Sequence, residues 1–507
     1  MTAATGKYHI WTVGCQMNMA DSQRVSSILD GLGWEEVGTM DQANLVVLNT
    51  CSVREQPERK AHGQLGLLAR AKRTREDLLV AMMGCMVGSQ RQLNELKGKY
   101  PVVDLFFKVE QAEILPDFLD ERWTPIAAGD GCLDIADLGA PRSVGLSAPL
   151  PIIQDGLPPA PEPIPTAHSG AMAVDFRPGA RELHYPTTAQ VDLKYKGPTA
   201  WLPVILGCNK VCSYCIVPSR RGRERSRPVD ELLVEARDLV DRGAREITLL
   251  GQTVEAYGLD LADRPDLGDL MEQLSAIDRL ERIRFMTSYP PHMTDKMIQQ
   301  MGALPKVCEH VNIPVQHGDD EMLTRMRRGY SIGDYRKLIA KLRHWWPGVS
   351  LATDVIVGFC GETEENFQHL LDLLEEIRFD VVHVAAYSPR PGTLSHKWED
   401  DVPLEEKKRR LHEVERVQER IARELNAPFI GRDEEVLVES HQVSNGHHQW
   451  RGRTRTNKLV FFPATNDASA SRAAVALSPG TGVRPGDLVT VRIEKVTAWS
   501  LQGVAAN

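Results

Sequence analysis

The chain has 507 residues, of which 42% are hydrophobic and 25% charged, with a formal net charge of −9. This composition is typical of a globular protein with about two to four domains. It contains no apolar run near the ~20 residues of a membrane span and no secretory signal at its first residues. We therefore expect a cytoplasmic protein without a membrane partner, whose nine cysteines are metal ligands or core residues rather than disulfides.

Strand-like and helix-like stretches alternate over the first 120 residues. Strands are predicted at 8–13, 45–49, 78–84 and 102–107, and helices at 22–33, 56–71 and 89–96. This alternation is typical of a parallel sheet covered by helices. We assign residues 6–120 to a first domain of the α/β class.

Residues 121–196 have a different composition. The run PLPIIQDGLPPAPEPIP at 149–165 contains seven prolines. Because proline lacks a backbone N–H and blocks both helices and central strands, we interpret 121–196 as a proline-rich insertion or linker. The sequence does not indicate what this segment does.

Strands and helices alternate again over 197–427. Strands are predicted at 201–206, 246–251, 283–288, 311–315, 351–358 and 381–387, with helices between them. Six such β-α units predict a partial TIM barrel, two units short of closure and open on one side. The active sites of such barrels lie in the loops at the C-terminal ends of the strands. A charged helix at 404–425 follows the last unit.

The last segment, 428–503, has the pattern of an all-β domain. Strand-like stretches at 434–440, 450–462 and 487–503 are separated by Gly and Pro. This pattern predicts a small antiparallel β-barrel.

Three cysteines lie close together in the loop that follows the first predicted barrel strand. The motif GCNKVCSYC places Cys208, Cys212 and Cys215, here called the loop triad, in the spacing C-x₃-C-x₂-C. Three thiolates can bind three irons of a [4Fe–4S] cluster and leave the fourth iron open for a substrate or cofactor. The alternatives are a zinc site completed by a distant histidine, or three core cysteines without a metal.

Three further cysteines each follow a predicted strand of the first domain. Cys15, Cys51 and Cys85, here called the strand-end triad, lie thirty-odd residues apart. Scattered cysteines are usually buried and inert. In a parallel sheet, however, the strand C-termini open on one edge, where ligands bind. If the three strands are neighbours, their cysteines can converge.

The loop around the first motif resembles a known family. GCNKVCSYCIVPSRRGRERSRP at 207–228 is similar to the signature loop of radical S-adenosylmethionine (SAM) enzymes, in particular the methylthiotransferases. Further similar motifs follow in order, namely LLGQTVEAYG (249–258), TSYPPH (287–292), DVIVGFCGETEENF (354–367) and YSPRPGT (387–393).

Both ends of the chain extend this resemblance. TVGCQMNMADS (12–22), NTCSVRE (49–55) and GCMVGS (84–89) resemble the N-terminal methylthiotransferase domain. The tail resembles a TRAM domain, which is an RNA-binding barrel. The resemblance implies that the loop triad binds a [4Fe–4S] cluster whose open iron chelates SAM, and that reduction of this cluster yields a 5′-deoxyadenosyl radical. It also implies that the strand-end triad holds a second, sulfur-carrying [4Fe–4S] cluster.

Polar side chains at predicted strand ends are candidates for binding SAM. Gln252, Ser288, Gln316 and Asp354 lie at such ends, Arg327 lies nearby to pair with a carboxylate, and Gly358 would let the backbone approach the adenine.

The chain departs from the family pattern at two places near these candidates. The sequence QHGD at 316–319 replaces an expected QSGS, and Cys360 replaces a proline. His317 and Asp319 could therefore alter a pocket contact or face solvent.

Two features favour tRNA as the substrate. NTCSVRE resembles the branch that acts on isopentenyladenosine in tRNA, and residues 430–507 carry nine Lys and Arg against seven Asp and Glu. The segment RGRTRTNK at 451–458 places four of these cations beside Trp450 and Phe461. Such a cluster suits phosphate contact and base stacking, although a solvated hairpin would have the same pattern.

The resemblance and these features together predict the reaction. We expect a monomer that adds a methylthio group to C2 of N6-isopentenyladenosine at position 37, in the anticodon stem-loop of tRNA, with an electron donor of the flavodoxin or ferredoxin type. The C2–H bond is not acidic, so a base cannot activate it, whereas a radical can. The alternatives are a methylthiotransferase for an aspartate of a ribosomal protein, and a non-catalytic iron–sulfur protein that binds RNA.

Overall fold

The computed structural model describes residues 6–53, 55–88, 90–123, 172–173, 197–444, 446–464 and 482–506. The chain divides into two compact units, the first with the described residues up to 173 and the second with those from 197 onward. None of the helices in these ranges has the length and apolar character needed to cross a membrane.

The first unit contains a six-stranded sheet in the order β2-β1-β3-β4-β5-β6. Every neighbouring pair is parallel, which confirms the predicted parallel α/β domain. The strands are β1 (Lys7–Thr12), β2 (Glu35–Glu36), β3 (Leu45–Thr50), β4 (Leu79–Gly84), β5 (Leu105–Phe106) and β6 (Met172–Ala173).

Four helices accompany this sheet, namely α1 (Gln16–Gly31), α2 (Glu55–Ala71), α3 (Gln90–Lys99) and α4 (Leu115–Arg122). The central strands β3 and β4 are mostly apolar and buried, as expected of parallel strands covered on both faces. Helix α1 begins six residues before the predicted start at 22. The apolar pattern missed its first turns because Asn18 and Asp21 are buried although they are polar.

The predicted insertion contributes one element to the first unit. Residues 172–173 form β6, which pairs in parallel with β5 at the edge of the sheet. Apart from 121–123, the remainder of 121–196 lies outside the described residues.

The second unit begins with six parallel strands that form an open barrel. One sheet has the order β7-β10-β11 and another the order β12-β13-β14, and a bridge between Ile283 and Val307 connects the two. The six strands are β7 (Thr199–Pro203), β10 (Glu246–Leu250), β11 (Arg282–Phe285), β12 (His310–Asn312), β13 (Ser350–Val357) and β14 (Val381–Ala386). Two short strands, β8 (Ile205–Leu206) and β9 (Arg225–Ser226), form a separate antiparallel pair. This arrangement confirms the predicted partial barrel.

Helices connect the strands of the partial barrel. They are α5 (Val217–Arg221), α6 (Val229–Asp241), α7 (Leu267–Ser275), α8 (Asp295–Ala303), α9 (Asp320–Arg325), α10 (Ile332–Trp345), α11 (Glu364–Ile377) and α12 (Leu404–Asn426). Several begin at a side-chain cap: Ser331 accepts from the Asp334 N–H and Thr363 from the Asn366 N–H. Such caps satisfy backbone donors that a helix leaves free at its start.

The C-terminal segment forms a closed five-stranded barrel in the order β15-β16-β17-β19-β18. Its strands are β15 (Asp433–Ser444), β16 (His447–Thr454), β17 (Leu459–Pro463), β18 (Leu488–Val496) and β19 (Leu501–Ala505). The stretches 450–462 and 487–503, each predicted as one strand, are both divided into two strands by a turn. In the first turn Asn457 has a φ of 64°, which Asn tolerates better than most residues. The β17–β19 pair is parallel, so the barrel is not antiparallel throughout.

This barrel packs against the N-terminal ends of the partial-barrel strands. The contact is made by the turn at 453–458, here called the docking turn. Arg284 of β11 donates 2.9 Å to the Arg455 carbonyl, and the Arg455 guanidinium binds the Glu309 carboxylate at 2.7 Å. Lys458 binds Asp380, which directly precedes β14. Glu309 and Asp380 directly precede their strands, and Arg282, the first residue of β11, donates to the Arg453 carbonyl at 2.8 Å.

The docking turn explains most of the basic segment that was predicted to contact RNA phosphates. Arg455 and Lys458 bind partial-barrel carboxylates, and Arg453 lies 3.1 Å from Glu439 within the C-terminal barrel. Arg451 is the most exposed of the four cations, at 39%, and it lies 3.6 Å from Glu439. The predicted phosphate role therefore does not fit Arg455 or Lys458, because their charges are already paired with Glu309 and Asp380. A cluster of basic residues beside aromatic residues can form such an intramolecular contact as well as an RNA contact.

Candidate functional site

The loop triad lies at the C-terminal end of the partial barrel, directly after β8. Gly207 has a φ of +76° and a Cβ there would lie 2.1 Å from the Arg223 carbonyl oxygen. Only glycine allows this close approach of two backbone segments. The Cys208 N–H donates 3.1 Å to the Gly222 carbonyl, so the same contact fixes the first cysteine. Further along, the Lys210 N–H donates to the Cys208 sulfur at 3.4 Å.

The three thiols of the loop triad affect one another. Burial raises the pKa of Cys208, and it raises the pKa of Cys215 to about 12. In both cases the neighbouring cysteines of the triad raise the pKa further. Thiolates that repel one another in the metal-free chain are stabilised when each binds a positive iron.

Three thiols on one short loop are a donor set that fits a [4Fe–4S] cluster. Across the described ranges, no group of three or more His, Cys, Asp or Glu side chains is arranged to hold one metal ion. A [4Fe–4S] cluster does not need such convergence, because each thiolate binds a different iron.

The strand-end triad is brought together by the order of the first sheet. Cys51 and Cys85 directly follow the neighbouring strands β3 and β4, and Cys15 precedes α1 after the adjacent strand β1. The pKa of the Cys51 thiol is strongly raised, first by a hydrogen bond with Cys85, then by burial, with a contribution from Cys15. The predicted convergence at one sheet edge is therefore present.

A buried polar network supports Cys15, and the sequence did not reveal it. The Asn18 amide donates to Asn49 Oδ1 at 3.0 Å and to the Thr50 carbonyl at 2.9 Å. Asn49 donates in turn to Ser22 Oγ at 2.8 Å, and the Cys15 thiol donates to Asn18 Oδ1 at 3.4 Å. The network ties the start of α1 to the end of β3, which keeps Cys15 beside Cys51.

The predicted SAM contacts lie at the same end of the partial barrel as the loop triad. Gln252 follows β10, Ser288 follows β11, Gln316 follows β12, Asp354 lies within β13 and Gly358 follows it. Ser288 is buried, and Gln252, Gln316 and Asp354 are partly exposed. Their contacts with SAM stay predictions.

Two of these candidates have an unusual backbone conformation. Gln316 has a φ of +73° and bridges to β13, where its N–H donates 2.9 Å to the Asp354 carbonyl. Gly358 has a φ of +67°, and a Cβ there would lie 2.3 Å from Lys407 Cγ. Both the positive φ and the close packing of the Lys407 side chain therefore favour glycine at position 358.

The two consecutive arginines of the segment MRRG differ in their surroundings. Arg327, the predicted partner of a carboxylate, is exposed and has a φ of +56°. Its neighbour Arg328 is buried, and its Nη1 lies 3.4 Å from the Cys212 sulfur. The sequence indicated an arginine in this loop but not which of the two side chains faces the cysteines.

The departure QHGD forms a buried polar group at the start of α9. His317 is fully buried, and its Nδ1 accepts from the Asp319 N–H at 3.1 Å. Asp319 caps α9 by accepting from Met322 and also binds His369 at 2.7 Å. His317 Nε2 lies 3.6 Å from the Glu362 carboxylate. The departure therefore does not produce a solvent-facing loop.

Cys360 and Cys308 are buried outside both triads. Cys360 packs with Phe359 and Tyr387 in an apolar cluster, so its thiol replaces the expected proline as a core residue. Burial raises the pKa of Cys308 to about 11, which indicates an inert thiol.

Polar residues also lie close to the loop triad. Lys210 Nζ lies 3.3 Å from Glu224 Oε1 and 3.3 Å from His292 Nε2, above the ring of Tyr289. The Tyr289 N–H donates to the Glu255 carboxylate at 2.9 Å. Burial raises the pKa of Glu255 to about 7, although hydrogen bonds from Ser288 and Tyr289 oppose this.

We expect Glu255→Gln to stabilise the metal-free protein increasingly as the pH rises. In the unfolded chain this carboxyl ionises near pH 4.5, whereas in the folded protein it retains its proton up to about pH 7. Stability is therefore lost as the pH rises between these values, and it is not lost further above them. Thermal unfolding of both proteins from pH 5 to pH 8 measures this. Parallel pH profiles would contradict the prediction.

Three family models match the chain in order. A model described as Uncharacterized protein family UPF0004 matches residues 7–108, the Radical SAM superfamily matches 202–374, and the TRAM domain matches 429–506.

Three relatives that match more than nine-tenths of the chain are each named tRNA-2-methylthio-N(6)-dimethylallyladenosine synthase. The protein from Roseiflexus sp. is 42% identical, over 99% of this chain and 90% of the relative. The protein from Herpetosiphon aurantiacus is 42% identical over 91% and 92% of the two chains. The protein from Dictyoglomus thermophilum is 39% identical over 98% of both.

Proposed function

The chain belongs to the tRNA-2-methylthio-N6-dimethylallyladenosine synthase family of radical SAM enzymes, and from this we propose that it adds a methylthio group to C2 of N6-isopentenyladenosine at position 37 of tRNA. The observation that carries the proposal is the presence of two cysteine triads, one in the loop after β8 and the other at the ends of the neighbouring parallel strands β1, β3 and β4. The presence of all three loop cysteines argues against the alternative of a non-catalytic iron–sulfur protein that binds RNA.

The loop triad is proposed to serve the radical step. A [4Fe–4S] cluster bound there would supply a 5′-deoxyadenosyl radical from SAM, which is a reagent able to act on a C–H bond that is not acidic. The chain itself contributes the three thiols, the burial of Cys208, and the strand-end residues that would orient SAM. Candidates for that orientation are Gln252, Ser288, Gln316, Asp354 and Arg327.

The strand-end triad is proposed to hold a second [4Fe–4S] cluster that carries the sulfur. The hydrogen bond of Cys51 with Cys85 and the influence of Cys15 support this assignment, because they show three thiols at one sheet edge. We propose that a monomer acts in the cytoplasm, with electrons from a donor of the flavodoxin or ferredoxin type.

The RNA substrate is proposed to bind through its anticodon stem-loop. A target base must leave its stack to reach the mouth of the barrel, and this is least costly in a single-stranded loop. The C-terminal barrel would contact the stem, with Arg451 as the most available cation of the basic segment.

The test is methylthiolation by the reconstituted protein. Protein loaded with iron and sulfide is incubated with SAM, dithionite and tRNA carrying N6-isopentenyladenosine, and the nucleosides are analysed by mass spectrometry. We expect a methylthio nucleoside, and none with the Cys208→Ala variant or with tRNA lacking the isopentenyl group. A product on a ribosomal-protein aspartate, with unmodified tRNA, would support the alternative instead.

A further inference from the structure

Arg328 is a buried cation that has no carboxylate partner among the residues described. Its side chain follows α9, and the residue is 6% exposed. The guanidinium donates from Nε to the Tyr330 hydroxyl at 3.1 Å and from Nη2 to the Pro314 carbonyl at 2.9 Å. From Nη1 it reaches the Tyr214 hydroxyl and the Cys212 sulfur, each at 3.4 Å. Its N–H groups are therefore mostly satisfied by neutral partners, which do not neutralise the charge.

These neutral partners leave the positive charge of Arg328 uncompensated, which is energetically unfavourable. An arginine keeps its proton in proteins, and a buried charge without a counter-ion costs several kcal/mol even after relaxation. The rings of Tyr289 and Tyr330, at 5.1 and 5.4 Å from the guanidinium carbon, recover part of this through cation–π attraction. An anion in contact with Nη1 would recover much more.

The atom in that position is the sulfur of Cys212, one of the three cysteines of the loop triad. We infer that Arg328 is the counter-ion of the Cys212 thiolate when a cluster is bound, and that it thereby sets the reduction potential of that cluster. This rests on the proposed function only in that the loop triad must hold a cluster. Arg328 would act through Cys212, as a positioning residue.

The sign of the effect follows from charge. Reduction adds one negative charge to the cluster, and a cation that donates an N–H to a ligand sulfur stabilises the reduced form. Removing the cation should make the cluster harder to reduce. The neighbouring exposed residue Arg327 provides a matched control, because its removal changes the net charge equally without emptying the site beside Cys212.

The test is a redox titration of the fully loaded enzyme without SAM, followed by electron paramagnetic resonance. The signal of the loop-triad cluster is identified as the one absent from Cys208→Ala. We expect Arg328→Gln to reduce the equilibrium constant for reduction at least tenfold, which is about 60 mV for one electron. Arg328→Lys should keep most of the wild-type value, and Arg327→Gln should not change it.

Other results would assign Arg328 a different role. An unchanged reduction potential in Arg328→Gln with full iron content overturns the inference. If SAM binding is also weaker in that variant, the anion that Arg328 pairs with is the carboxylate of SAM rather than the Cys212 thiolate, and the inference is again overturned. Arg328→Gln could fail to bind iron at all. In that case, normal iron content in Arg328→Lys supports the role of the charge. An equal loss of iron in both variants shows a structural role for Arg328 and overturns the inference. A shifted potential in an enzyme that cannot methylthiolate tRNA would contradict the proposed function alone.

Discussion

Replacing any cysteine of the loop triad with alanine is expected to abolish the cleavage of SAM to 5′-deoxyadenosine. The proposed cluster would have three protein ligands, and Cys308 and Cys360, the other cysteines that the structure describes in this unit, lie buried elsewhere. Replacing the strand-end triad together should instead leave cleavage intact, since those cysteines belong to the separate first unit. That variant should nevertheless transfer no methylthio group to tRNA.

Three measurements on each reconstituted variant separate these expectations. Bound iron should fall by about half when either cluster is lost, because each of two clusters would hold the same number of irons. The yields of 5′-deoxyadenosine and of the methylthio nucleoside complete the comparison. If the variant without the strand-end triad kept full iron and still methylthiolated tRNA, the second cluster would not exist.

Substituting Arg284 with methionine is expected to lower the free energy of unfolding of the second unit by about 3–5 kcal/mol, the usual effect of leaving one member of a buried ion pair alone. Arg284 and Glu246 form this pair at 2.8 Å, with both side chains 5% exposed. The substitution also removes the donors to the carbonyls of Thr454 and Arg455. The floor of the partial barrel would thus lose its contact with the docking turn.

Two controls distinguish the buried charge from general damage. Replacing Arg284 and Glu246 together, with Met and Leu, should recover part of the loss because no unpaired charge remains. Replacing Arg336, whose 2.7 Å pair with Glu376 is about half exposed on both sides, should cost less than about 1 kcal/mol. Thermal and urea unfolding measure all three. Equal effects of the Arg284 and Arg336 substitutions would be inconsistent with this account.

The positions of the two triads could be predicted because strand ends are visible in a sequence. Apolar stretches that end directly before Cys51 and Cys85 marked β3 and β4, and parallel strands place such ends on one edge. That β1 lies beside β3 could not be deduced, since sheet order depends on packing between distant segments. It is this neighbour relation that brings Cys15 to the other two cysteines.

Features that depend on side-chain direction escaped prediction. Arg327 and Arg328 are adjacent and identical in type, and only the turn after α9 decides which one faces Cys212. Similarly, the basic segment that contains Arg455 and Lys458 has the composition of an RNA-binding surface. In the structure, however, these two residues form ion pairs with Glu309 and Asp380. A local pattern contains no information on partners 78 or 146 residues away.

The C-terminal barrel docks at the start of the partial-barrel strands, while the loop triad lies beyond their far end. The longest of these strands, β13, has eight residues and extends about 25 Å. Any one molecule that touches both the docked barrel and the mouth must therefore stretch along the outside of the protein for at least that distance. A free nucleoside is too short to do so, whereas a base-paired tRNA arm is long enough. The enzyme would then select its adenosine by the distance between that nucleotide and the bound tRNA arm, as well as by the identity of the base.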